Sequence, residues 1–170
     1  MIAWSRLRPA PADRERPSPN HGPRPAREPA LLCVVLHATA DGGSEAGAEG
    51  WLCDPRARAS AHLHIRRDGT VVRLLPDARR AWHAGESAWR GRHDVNSFSL
   101  GWELANRNDG REPFTGAQYA ATARLAAHYV AQGLPADAFV SHARVALPPG
   151  RKTDPAGFDW ERFRALLRSA

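Results

Sequence analysis

Apolar residues are sparse and aperiodic up to about residue 29, then gather in Leu31-Leu32-Cys33-Val34-Val35-Leu36-His37. A β-branched run of this kind predicts a buried central strand, here ending on a histidine followed by a Gly-rich turn, Asp41-Gly42-Gly43. Ser44 is a suitable N-cap for a short helix to about Cys53, with Glu45 and Glu49 near its start. Two alternating runs, 61–66 and 70–75, flank Arg67-Asp68-Gly69 and predict a β-hairpin. His62 and His64 share one face of it, expected to be the wetter side of the sheet, and His62 lines a cleft if that face turns toward His37. Residues 96–106 read as a further strand, with Leu100, Trp102 and Leu104 on the face opposite Glu103. Thr115-Gly116-Ala117-Gln118 has capping-box form and opens an Ala-rich helix to about Gln132, stopped by Gly133 and Pro135. Asp159 caps a last helix to about Arg168, in which Trp160, Phe163 and Leu167 recur at helical spacing. The expected fold is a single α/β domain, a mixed central β-sheet flanked by helices, with long loops at one end carrying the polar residues.

Composition divides the chain. Residues 1–29 hold seven of the fourteen prolines and six arginines, so they are expected to form an arm, flexible or laid over the surface, with Trp4 as an anchor. Residues 30–170 are the expected domain, of ordinary size for one core. The net charge of +6 would suit an anionic partner, yet the arginines are scattered rather than striped, so a nucleic-acid binder rests on net charge alone. No apolar run reaches bilayer length and Met1-Ile2-Ala3-Trp4-Ser5-Arg6 leads into no secretory pattern. Cytoplasmic residence is the default expectation, with periplasmic or extracellular action open, and a monomer is expected. Cys33 and Cys53 lie in apolar settings and are expected to be reduced, with a bridge between them left open.

Candidate chemistry concentrates in the last loop, 140–155, where His142 ends a short β-rich run and Lys152-Thr153-Asp154 follows a Pro-Pro-Gly corner. Pro155 biases Asp154 toward extended backbone, and Lys152 is the only lysine beside 23 arginines. Two histidines and a carboxylate are a usual ligand set for catalytic zinc, and His37, His142 and Asp154 can supply it. Glu103, embedded in an apolar strand, is a candidate proton-transfer group, and Lys152 a candidate stabiliser of an oxyanion. The reaction this suggests is amide hydrolysis, although eight histidines leave other ligand sets open. Neither a His-Glu-x-x-His helix nor a Gly-x-Ser-x-Gly elbow is present. The loop 80–92, dense in Trp82, His83, Trp89 and arginines, suits stacking and hydrogen bonding to sugars or peptides, and equally suits packing on itself.

Several ordered motifs then carry a resemblance. They are Val-Val-Leu-His37, Ser60-Ala61-His62 running into Ile65-Arg66-Arg67-Asp68-Gly69-Thr70, Ala81-Trp82-His83-Ala84-Gly85, Asn96 to Leu104, and Ser141-His142 with Arg151-Lys152-Thr153-Asp154-Pro155. Over residues 31–167 the chain resembles the zinc-dependent N-acetylmuramoyl-L-alanine amidases of the amidase-2 type, the AmpD-like and peptidoglycan-recognition-protein group. The resemblance implies Zn2+ on His37, His142 and Asp154, catalysis by Glu103 and Lys152, and a peptidoglycan or muropeptide substrate cleaved between the lactyl group and L-alanine. It also implies that His62, Arg66, Arg67, Trp82 and His83 lie near that substrate. Where recycling enzymes follow the first histidine with Asn and a Ser-Leu-Pro-Pro stretch, this chain has Ala38-Thr39-Ala40-Asp41, so wall polymer and anhydro-fragments both stay open. The rival from another class is a non-catalytic peptidoglycan-binding module, against which the intact ligand set with Glu103 and Lys152 argues.

Overall fold

The apolar run after residue 30 forms the middle of a six-stranded sheet. In the computed structural model, which describes residues 1–40 and 45–170, that run is β2 (Cys33–Ala38), buried along its whole length. With β1 (Arg14–Glu15), β3 (Leu63–Ile65), β4 (Val71–Arg73), β5 (Ser99–Leu104) and β6 (Phe139–Ser141) it makes a sheet of order β6-β2-β5-β3-β4-β1. Strands β6, β2, β5 and β3 run parallel, β4 turns back antiparallel to β3, and β1 lies parallel to β4 at the edge. The β3–β4 turn is the predicted Asp-Gly hairpin: Thr70 N donates to Asp68 Oδ1 at 2.8 Å and Gly69 takes a φ of 88°. A Cβ there would also lie 3.0 Å from the Ala117 carbonyl, so both backbone and space select glycine.

Helices cover the sheet where the 3.6-residue pattern put an apolar stripe. Helix α1 (Glu45–Leu52) follows the first turn, and the proposed Ser44 cap lies outside the described residues. Helix α2 (Gly116–Val130) opens with both halves of the capping box, Thr115 Oγ1 accepting from Gln118 N and Gln118 Oε1 from Thr115 N. Its Tyr129 packs against Trp102 of β5, and Trp102 against Phe139 of β6, with ring centroids 5.8 Å apart in each case. Two more helices complete the fold, α3 (His142–Val145) and α4 (Trp160–Ser169), the latter capped by Asp159 and anchored through buried Phe163 and Leu167.

The first 29 residues lie across this domain in short paired pieces. Ile2–Ala3 pairs with Ala30–Leu31, β1 extends the main sheet, and His21–Pro23 pairs with Arg79–Ala81. The interspersed prolines forbid longer ladders, so the segment is ordered by partners in the domain rather than by its own pattern. Trp4 Nε1 donates to Glu28 O at 2.9 Å, and the Arg24 guanidinium sits 3.5 Å from the centroid of the Trp4 ring. Arg24 also donates to the carbonyls of Asp77, Asn96, Ser97 and Ser99. Both cysteines are free thiols, Cys33 buried and Cys53 half-buried. No helix among the described residues is long and apolar enough to cross a membrane.

Candidate metal centre and active-site cleft

The sheet register brings the polar strand ends to one level. Glu103 of β5 is the register partner of His37 of β2, and Ser141, the last residue of β6, is that of Leu36. His142 follows at the level of His37 as the first residue of α3, a single turn whose Ser141 cap accepts from Arg144 N at 3.1 Å. Carboxyl ends of parallel strands are where open α/β sheets hold ligands. Asp154 arrives from the loop beyond α3 and is fastened to the histidine turn by Ala143 N donating to its carbonyl at 3.0 Å. Arg151 staples the same loop to the neighbouring one by donating to the carbonyls of Ala84 and Glu86.

Three atoms then converge. His37 Nδ1 and His142 Nδ1 are 3.1 Å apart, and each approaches Asp154 Oδ2, at 3.2 and 3.0 Å. All three residues are buried. His142 Nε2 lies 3.2 Å from the Ala84 carbonyl, an acceptor only, so its proton belongs on Nε2 and its lone pair on Nδ1. Burial, only partly offset by the Asp154 carboxylate beside it, lowers the His37 pKa to about 4 and keeps the ring neutral at pH 7. Burial alone would raise that of Asp154, but the His142 and His37 rings against its Oδ2 hold it well below the usual carboxylate range. Two neutral imidazoles and a carboxylate aimed at one point fit a small divalent cation that takes nitrogen and oxygen ligands, and they match the three-ligand set of an open zinc site.

The trio forms the floor of a cleft of about 430 Å³. Glu103 and Lys152 stand on its wall, as does Trp82, while Trp51 of α1 stands at its rim with 57 % of its surface exposed. Trp51 carried no pattern of its own in the sequence; the available signal was an aromatic residue on the helix directly following the His37 turn. His83 also borders the cleft, but both its ring nitrogens are engaged, by His37 Nε2 and by Ser99 Oγ, each at 3.0 Å. Trp89, by contrast, packs inward beneath Arg90.

Three residues expected near the cleft do not line it. His62 and His64, read as the wetter face of the hairpin, are fully buried, because α1 and the N-terminal segment cover that face. His62 Nδ1 accepts from Gly101 N at 2.9 Å and its Nε2 is 3.0 Å from the Arg79 carbonyl, with Arg24 against it. Arg66 is held by Glu49 of α1 through bonds of 2.7 and 3.0 Å. Arg67 points to Glu112, 3.3 Å away.

A sequence model of the N-acetylmuramoyl-L-alanine amidases, the amidase-2 family, matches residues 27–157. The chain belongs to this family. Among curated members, this amidase is 40 % identical over 176 residues to the 1,6-anhydro-N-acetylmuramyl-L-alanine amidase AmpD of Salmonella typhimurium, spanning 91 % of this chain and 89 % of that one. It is 34 % identical over 154 residues to the N-acetylmuramoyl-L-alanine amidase AmiD of Escherichia coli, spanning 81 % and 54 %. Among solved structures, the amidase superposes on a selenomethionine AmpD derivative with a TM-score of 0.79 at 34 % identity, covering 98 % of this chain and 99 % of that one. It superposes on AmiD in complex with anhydro-N-acetylmuramic acid-L-Ala-D-γ-Glu-L-Lys with a TM-score of 0.72 at 30 % identity, covering 83 % and 59 %. The enzyme is an N-acetylmuramoyl-L-alanine amidase with the AmpD-like α/β fold.

Proposed function

We propose that this amidase is zinc-dependent and cleaves the amide between the lactyl group of N-acetylmuramic acid and L-alanine in soluble muropeptides, those with a 1,6-anhydro sugar included. The observation that carries this reading is the convergence of His37, His142 and Asp154 at the floor of a cleft walled by Glu103 and Lys152. The choice of small fragments draws on the likeness to AmpD over nearly the whole of both chains.

His37, His142 and Asp154 would hold the zinc, which would supply a Lewis acid to acidify water and polarise the amide carbonyl. Glu103, next to His37 in the sheet, takes a proton from the attacking water on a carboxylate oxygen and passes it to the departing alanine nitrogen. Lys152, which lines the same cleft as Glu103, supplies an ammonium to balance the negative charge gathering on the carbonyl oxygen. Trp51 and Trp82 offer flat apolar faces to the C–H face of the muramyl ring.

The test is mass spectrometry of products from purified anhydro-muropeptide and from intact sacculi, with and without a chelator. The expected result is release of free stem peptide from the muropeptide, abolished by the chelator and restored by zinc. Turnover that survives complete chelation contradicts zinc dependence, and preferential attack on sacculi contradicts the choice of small fragments.

A further inference from the structure

His142 settles its tautomer directly on a backbone carbonyl, but among the described residues no carbonyl meets the outer nitrogen of His37. Its Nε2 faces His83 Nδ1 at 3.0 Å, His83 Nε2 faces Ser99 Oγ at 3.0 Å, and Ser99 Oγ lies 2.6 Å from the Val95 carbonyl oxygen. The direction of this chain follows from its far end. A carbonyl oxygen can only accept, and a serine hydroxyl has one proton to give. The Ser99 proton therefore goes to Val95, and Ser99 Oγ accepts from His83 Nε2–H. With its proton on Nε2, His83 presents a bare Nδ1, which accepts from His37 Nε2–H. His37 is left with its lone pair on Nδ1, the atom that faces His142 and Asp154.

We propose that His83 and Ser99 are positioning residues that fix the tautomer of His37 and so aim its Nδ1 lone pair at the cation. The proposal rests on the reading of His37 as a metal ligand and gives His83 a role other than touching substrate. The surroundings are built to hold the relay. Asn96 Oδ1 accepts from the backbone of His83 at 3.1 Å and of Ala84 at 2.8 Å, securing at once the ring behind His37 and the carbonyl behind His142. Position 101 has to be glycine, since a Cβ there would overlap the His83 ring lying against β5. Arg24, reaching in from the N-terminal segment, donates to the Ser99 carbonyl at 3.1 Å and ties that segment to the relay.

The experiment pairs ring-nitrogen NMR of the zinc-free protein with zinc affinity by competition against a chromophoric chelator. Wild-type His37 is expected to carry its proton on Nε2. Ser99→Ala should give a mixture of tautomers at His37 and weaken zinc binding about 10–100-fold, the usual range for losing an outer partner of a ligand. Ser99→Thr, which keeps the hydroxyl, should recover both, and Gly101→Ala, which displaces the ring, should reproduce the loss. A wild-type His37 protonated on Nδ1 overturns the proposal without recourse to any variant. So does a folded Ser99→Ala protein that binds zinc within twofold of wild type. A wild-type chain that takes up no zinc overturns the metal reading itself, and this proposal with it.

Discussion

Glu49 and Asp154 are both buried carboxylates bonded to histidines of the central sheet, and the histidines belong to one row, His37 beside Glu103 and Glu103 beside His64. Around Glu49 the protein supplies the positive charge itself. Arg66 grips both oxygens, Arg16 approaches at 3.5 Å, and His64 Nδ1 lies 3.0 Å away. Burial pushes the Glu49 pKa up, but those hydrogen bonds outweigh it and bring it to about 2. Around Asp154, among the described residues, the ion-pair partners are His37 and His142, and burial favours the neutral form of His37. The first cluster is closed and complete, whereas the second turns its donor atoms toward a point at the floor of the cleft. Similar residue types thus make a brace in one place and a candidate cation site in the other, and the difference lies in whether guanidinium groups are folded in beside them.

Breaking the open cluster should have the largest effect. His142→Ala removes one of three donors, so metal analysis should find zinc stoichiometry collapsing and muropeptide turnover at background, with the fold retained in circular dichroism. Glu103→Ala should keep one zinc per chain and lose about 10²–10⁴-fold in kcat, the range for general acid–base groups; near-normal turnover would remove Glu103 from the mechanism. The closed cluster should respond in the opposite sense. Glu49→Ala strands buried His64 and half-buried Arg66, so urea unfolding should show a loss of about 3–5 kcal/mol while zinc affinity changes little.

The hairpin face that proved dry gives a pH signature. Burial first, then the charge of Arg24, lowers the His62 pKa to about 3. A folded value below the unfolded one means the contribution is intact above about pH 6.5 and is lost as the pH falls toward 3, since only the unfolded chain takes up the proton in that window. At pH 5 this amounts to about 2 kcal/mol, visible as a lower Tm than at pH 7 for the zinc-free protein. A Tm unchanged between the two would mean that His62 is hydrated. The smallest effect is expected at the cleft rim, where Trp51→Ala should raise KM several-fold, about 1 kcal/mol of stacking, and leave kcat within twofold.

How much of this was legible in the sequence depended on whether the cause was local. The strand leading to His37, the Asp68-Gly69 hairpin and the Thr115 capping box each carry their instruction within a few residues, and each formed as read. The candidate trio stands out among eight histidines chiefly by likeness to a family, because residues 37, 142 and 154 meet only through sheet register. The burial of His62 and His64 was not legible, since it depends on Arg24 and Glu49 arriving from other segments. For the same reason the hairpin alone could not announce that Arg66 is held by Glu49. The N-terminal segment has too little apolar pattern to announce its own structure, and its order comes from edges and carbonyls that the domain leaves for it.

Titration of the chelator-stripped amidase with zinc, following uptake and turnover together, probes the proposed metal centre without any intermediary. One equivalent should bind per chain and activity should rise in proportion, with Asp154→Ala taking up none. Full turnover by protein shown to be free of metal, or zinc uptake unaffected by loss of Asp154, would contradict it.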